Sequence, residues 1–191
     1  MATTLKSAGY LAGQMLIAMP QMRDARFSRS VVYVCAHTAE GAMGLVVNRL
    51  FSALSFPDLL EQLNIEPTPL CDPIRIHFGG PVEAGRGFVL HSADYVQDTT
   101  LLVEPDVALT ATVDVLKAIA EGHGPRHSLL ALGYAGWSAG QLDSEIRQNA
   151  WLNAPADEDL LFGEELDRKW ERAIAKIGVD FGKLSGEAGH A

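Results

Sequence analysis

Hydrophobic residues recur along this chain with two periods, and the change between them marks out the elements. Alternating and β-branched runs come first. Gln14–Met19 reads as a strand ended by Pro20, and Ser30–His37 (SVVYVCAH) is β-branched and aromatic almost throughout, a composition that suits a pleated, half-buried surface. Glu40-Gly41 supplies a turn, and Ala42–Asn48 returns as the hairpin partner. Ile74–Phe78, Gly87–His91, Thr100–Val103 and Leu129–Tyr134 predict four further strands. Gly79-Gly80-Pro81 reads as a tight turn that ends the first of these.

The helical period appears between and after the strands. Ser55, with Pro57 and Asp58 in the following turn, opens a helix whose apolar face is Leu59, Leu60 and Leu63. Thr110 or Thr112 caps a second, with Val115, Leu116 and Ile119 inward and Gly122 as its stop. Gly140–Trp151 reads as helical throughout. In Glu164–Ile177 the residues Leu166, Trp170, Ile174 and Ile177 share one face, and Glu164 with Arg168 and Glu165 with Lys169 form i,i+4 pairs. The proline-bearing stretch Glu66–Pro73 reads as irregular, and the small, glycine-rich tail 182–191 as frayed. Without a repeating βα rhythm, the order predicts one α+β domain over residues 1–191, with its core at about 10–178 and helices packed on a mixed or antiparallel sheet.

Charge narrows the partners. The chain of 191 residues carries 24 acidic and 15 basic residues, for a formal charge of −9. That balance repels phosphate backbones, so direct contact with nucleic acid is not expected. Arg23, Arg26 and Arg29 are interrupted by Asp24 and read as a solvated edge. Cys35 and Cys71 form neither a CxxC pair nor a disulfide framework. Lys6 followed by Leu11–Met19 imitates a signal peptide, but Gln14 interrupts the run and Pro20 and Arg23 close it without a cleavage site. No segment approaches the roughly 20 apolar residues of a membrane span. The expectation is a cytoplasmic protein with reduced thiols and no membrane partner.

Four blocks carry a resemblance to a known family. They are Ser30–His37 continuing through Gly41–Arg49; Phe78–Val82 with Arg86–His91; Asp114–Gly122; and Ala131–Leu142 leading into Glu145, Asn149, Ala150 and Trp151. In these blocks the chain resembles the YqgE/AlgH family over about residues 10 to 165. Where that family usually has a threonine-serine pair before the third block, this chain reads Thr110-Ala111-Thr112. The resemblance implies a bent, partly barrel-like sheet with flanking helices, and it brings the label of transcriptional regulator from some relatives. No helix-turn-helix accompanies that label here.

Several motifs invite a chemical reading. Gly136-Trp137-Ser138-Ala139-Gly140 matches the G-x-S-x-G nucleophile elbow. The only histidine after it is His190, in the tail, so Ser138 with Gln141 is read instead as a capping box. Cys35 and His37, two apart on a strand, are expected on the same face, and with His77 and His91 they suggest zinc, but no spacing fits a zinc signature. The glycines around Pro81 and Arg86 lack any phosphate-loop motif, which leaves the amino terminus of the helix near Gly136–Ser138 as the candidate anion site. No metal and no cofactor are expected.

Trp137 and Trp151 bracket a helix that carries Gln141, Glu145 and Asn149 on one stripe. Core tryptophans beside a wet face is the favoured reading of that stripe. If there is a binding surface it is expected here, with Asn48, Arg49, Arg86 and His91 as neighbours. The leading expectation is a noncatalytic domain that binds a protein partner or small ligand through Gly136–Asn149. The rival is a hydrolase using Ser138 or Cys35 with His37 or His91, and a transcription-linked regulator is the third.

Overall fold

The computed structural model describes residues 10–178, and within them nine strands join in one sheet. The strands are β1 (Gln14–Ala18), β2 (Val31–Thr38), β3 (Gly41–Val46), β4 (Ile76–Phe78), β5 (Val82–Ser92), β6 (Leu101–Glu104), β7 (Val107–Thr110), β8 (Ser128–Ser138) and β9 (Trp151–Pro155). Their order is β6-β7-β5-β8-β3-β2-β1-β9, antiparallel at every step, with β4 added to β8 in parallel. The sheet curls into a half-barrel. Helices α1 (Phe56–Gln62), α2 (Val113–Glu121), α3 (Gln141–Arg147), α4 (Glu158–Phe162) and α5 (Leu166–Lys176) flank it, giving the expected α+β fold.

Side-chain alternation assigns each strand residue to one of the two sheet faces. On the concave face Tyr33, Leu45, Phe88, Leu90 and Leu129 pack together, and Leu160, Leu161, Trp170 and Ile174 from α4 and α5 cover one end of the half-barrel. The convex face is also buried. Phe56 and Leu60 of α1 and Val115 and Leu116 of α2 lie on Val89, Leu130 and Leu132. Farther along, Leu142 of α3 packs with Val32, Val34, Trp137 and Trp151.

The two halves of the sheet meet on β8. Leu130–Leu132 pair with β4 on one edge and with β5 on the other, so the chain must cross β8 between them. It crosses at glycines, because backbone packs on backbone there. A Cβ on Gly80 would fall 2.1 Å from the carbonyl carbon of Tyr134, and one on Gly133 would fall 2.2 Å from the Gly80 oxygen. Gly133, at φ +76, also shifts the alternation of β8 by one residue. Leu130 and Leu132 face the convex side before it, and Ala135 and Trp137 face that side after it. The sequence Gly79-Gly80-Pro81 is therefore a crossing, more than a turn.

Several local expectations change. β7 and β9 had no counterpart in the sequence reading, and β8 runs on to Ser138 instead of stopping at Tyr134. Thr110 belongs to β7, while Thr112 holds the N-cap position of α2 and donates its hydroxyl to Gln97 at 3.3 Å instead of bonding the helix. The proline-rich loop contains one 3-10 turn, Pro69–Cys71, with Thr68 as its cap. Lys169 does not pair with Glu165. It is buried against the sheet, and Glu165 meets Arg168 at 3.6 Å. The tail 182–191 lies outside the described residues.

Candidate functional site

The fourth block folds as strand, tight turn and short helix, and its polar residues bind one another. Trp137 is the penultimate residue of β8 and Trp151 opens β9, both buried on the convex face. Their rings meet edge to face at 5.9 Å. Each indole N–H donates to Oε1 of Glu145, at 3.0 Å from Trp137 and 2.9 Å from Trp151. Gln141 donates to the other oxygen, Oε2, at 2.7 Å. One carboxylate thus satisfies two buried donors that would otherwise be stranded. The structure brings Trp137, Gln141 and Glu145 together as a tie between strands and helix.

Helix α3 is shorter than the sequence suggested. It ends at Arg147 because Asn149 adopts a left-handed conformation, φ 62. The N–H groups of Ala150 and Asn149 then return to the carbonyls of Glu145 and Ile146, the Schellman arrangement. Asn149 therefore stops the helix and frees Trp151 for β9. The N-cap is Gly140, not Ser138. Ser138 is the last residue of β8, and both its N–H and its hydroxyl donate to Gln141 Oε1, at 2.9 and 3.2 Å. Half of the expected capping box is present, the Ser138 N–H to Gln141 Oε1, and the bond from the Gln141 N–H to the Ser138 hydroxyl is not made. The start of this seven-residue helix, the candidate anion site, carries Asp143 in its first turn.

No elbow forms at Ser138, which is absent from the positive-φ residues and continues an extended strand. Its hydroxyl reaches Gln141, not an imidazole, and His190 lies outside the described residues. Cys35 and His37 do not share a face. A bulge in β2 between Val34 and Ala36 shifts the alternation. Cys35 therefore enters the concave core, and His37 aligns with Ala42 and Trp137 on the convex side. Burial pushes the Cys35 thiol up to about 12, leaving no thiolate at neutral pH. His37 accepts the Leu11 N–H at Nδ1 (3.1 Å), and its Nε2 faces Asp143 at 3.8 Å. Among the described residues no group of three His, Cys, Asp or Glu could hold a metal ion.

The remaining candidates separate. Asn48 clamps backbone, accepting from Val31 N–H and donating to the Arg29 carbonyl, both at 2.9 Å. Arg49 binds the carbonyls of Ala25, Arg26 and Ser28. His91 is fully buried; its Nδ1 bonds the Ser92 carbonyl and its Nε2 the Thr110 hydroxyl, each at 2.8 Å. Desolvation lowers its pKa. None of the three touches the Trp137–Glu145 tie.

Asn48 and Arg49 line an opening of about 590 Å³ beside Arg75 and Glu164, whereas Arg86 lines a different one, on the concave face. At the end of the half-barrel opposite α4 and α5, no helix covers the concave face among the described residues. An opening of about 660 Å³ remains there, reaching Thr38 on β2, Met43 on β3, Arg86 and Phe88 on β5, Leu101 on β6 and Tyr134 on β8, with Trp137 also lining it. Arg86 lies over the Phe88 ring at 5.0 Å and faces Glu83 at 3.7 Å. The Glu83 carboxylate beside the Tyr134 phenol raises the phenol's pKa. Glu83 holds φ 46, a left-handed conformation uncommon for a residue with a side chain. Sequence reasoning named Arg86 and Trp137 but missed Met43, Glu83 and Tyr134. No motif links them, since they converge only when the sheet curls.

Comparison with known proteins agrees with this architecture. The AlgH-like family (DUF179) matches residues 15–182. A UPF0301 protein of Rhodospirillum rubrum is 56% identical over 186 residues, covering 97% of each chain. One of Bradyrhizobium diazoefficiens is 57% identical, covering 97% of this chain and 90% of its own. The solution structure of the AlgH protein from Pseudomonas aeruginosa superposes with a TM-score of 0.80 at 45% identity, covering 97% and 98% of the two chains. The crystal structure of protein DIP2367 from Corynebacterium diphtheriae shares the fold, with a TM-score of 0.74 at 20% identity over 96% of each. The half-barrel sequence described here belongs to the AlgH-like family.

Proposed function

We propose that this protein is a noncatalytic binding module whose small ligand enters the open end of the half-barrel. One observation carries the reading. The two ends of the concave face differ, one covered by α4 and α5 and the other left as a cleft of about 660 Å³. That volume falls in the roughly 300–1,000 Å³ range of ligand pockets, which favour the mouths of curled sheets. The lining combines an apolar floor, Met43, Phe88 and Leu101, with the polar groups of Arg86 and Tyr134. The Gly136–Asn149 surface offers less for a partner, because Glu145 and Gln141 are engaged internally. The hydrolase alternative draws no support from Ser138 or Cys35, whose surroundings supply neither a base nor a thiolate.

A fragment screen followed by methyl chemical shifts tests the reading. Binders are expected to move the Met43 and Leu101 signals, and Met43→Trp, which fills the floor, should abolish their binding while retaining the fold. Binders that shift only residues outside the cleft would overturn it.

A further inference from the structure

Resting on that reading, we infer that the ligand is a small apolar molecule ending in a single carboxylate, held by Arg86. Arg86 is half-exposed at the rim of the cleft, and its guanidinium is held over the Phe88 ring. Its ion partner, Glu83 at 3.7 Å, lies beyond hydrogen-bond distance. The planar guanidinium therefore keeps its fork of donors for an incoming group, and a carboxylate matches that fork with two parallel hydrogen bonds. Behind it Met43, Phe88, Leu101 and Leu109 provide the apolar floor along which a hydrocarbon body lies.

The charge around Arg86 sets the number of charges on the ligand. Glu83 beside the guanidinium and Glu40 in the cleft lining are acidic, and the whole chain carries −9. A dianion such as a phosphate monoester meets this repulsion twice over, whereas a monocarboxylate exchanges places with Glu83 as the partner of Arg86. Glu83 is placed for that exchange. The Tyr134 phenol lies beside it, so a carboxylate displaced from Arg86 keeps a donor within reach. Glu83 thus competes with the ligand and sets its affinity.

Four eight-carbon probes test the assignment: octanoate, octanol, octylamine and octyl phosphate, titrated while the Met43 and Leu101 methyl signals are followed. Octanoate is expected to bind about tenfold tighter than octanol, the lower range for a charge-assisted hydrogen bond at a half-exposed site. Arg86→Gln should reduce octanoate to the level of octanol and leave octanol unchanged, and Glu83→Gln should strengthen octanoate several-fold. Equal affinity for octanoate and octanol, or tighter binding of octyl phosphate or octylamine, would overturn the monocarboxylate assignment while leaving the cleft as a site. If none of the four shifts those methyls, the binding reading of the cleft fails first. No gain in Glu83→Gln would overturn the competition alone.

Discussion

Trp137 and Trp151 stand edge to face at 5.9 Å and share one acceptor, the Oε1 atom of Glu145. The first lies one residue before the end of β8 and the second opens β9, strands that are not neighbours in the sheet. A helix too short to be stable alone is thereby fixed to the convex face by one carboxylate. The polar stripe that invited a surface reading is a structural joint.

Glu145→Ala should therefore cost stability. It leaves two indole N–H groups, on residues 7% and 2% exposed, without their acceptor. The expected loss is about 2–4 kcal/mol, because each stranded donor keeps its desolvation penalty. Glu145→Gln retains an acceptor oxygen and should lose about 1 kcal/mol. Urea denaturation followed by tryptophan fluorescence separates the two. Equal losses would show that charge, not acceptance, matters.

The crossing at β8 makes a second contrast. Gly133 and Gly140 both have positive φ, +76 and +73, but a Cβ on Gly133 meets the Gly80 oxygen at 2.2 Å while one on Gly140 meets nothing within 4 Å. Gly140→Ala should cost about 1 kcal/mol, the left-handed penalty alone. Gly133→Ala adds a clash with backbone that cannot retreat, so a loss of about 3 kcal/mol or more is expected. Thermal melts of the pair measure the difference, and similar melting temperatures would show that the crossing yields.

The sequence made the sheet legible where β-branched runs are long, as in β2, and the helices legible where caps are unambiguous, as at Ser55 and Gly122. β9 was hidden because Trp151 continues the apolar spacing of α3, and only Asn149, a residue that tolerates left-handed backbone, signals the break. The faces of Cys35 and His37 were misjudged because a one-residue bulge reverses alternation without leaving a mark in composition. The cleft was illegible for a deeper reason. Met43, Arg86 and Tyr134 come from three strands, and their convergence depends on curvature that no local pattern encodes.

Lys169 predicts an alkaline dependence of stability. Its ammonium is buried, bonded only to the Val47 and Leu161 carbonyls at 3.0 and 2.8 Å, and desolvation, with Arg75 and Arg172 nearby, lowers its pKa from 10.5 to about 7. Between those values the unfolded chain holds a proton that the folded chain has released, so stability rises with pH. Relative to Lys169→Met, the native protein should gain about 1 kcal/mol per pH unit from about pH 7.5 to 9.5. Above that window Tyr33 opposes the trend, because burial and Glu104 keep its phenol protonated in the folded state. Urea midpoints at three pH values check the slope, and parallel curves for the two proteins would contradict it.

His77 predicts the corresponding loss on the acid side. The ring is buried on β4, and its Nδ1 donates to the Leu130 carbonyl of β8 at 3.1 Å. Desolvation, reinforced by Lys169 and Arg75, lowers its pKa from 6.5 to about 4, against the opposing pull of the Leu130 carbonyl. Between those values the unfolded chain binds the proton and the folded chain does not, so stability falls as the medium is acidified. Fully developed, below about pH 4, the effect reaches roughly 3 kcal/mol. A His77→Leu variant should lose this part of the acid sensitivity, and the His77 ring signal should show no titration above about pH 5. A ring that titrates near 6.5 in the folded protein, with native and variant chains equally acid-sensitive, would place the β4–β8 pairing in contact with water and remove the burial on which the argument depends.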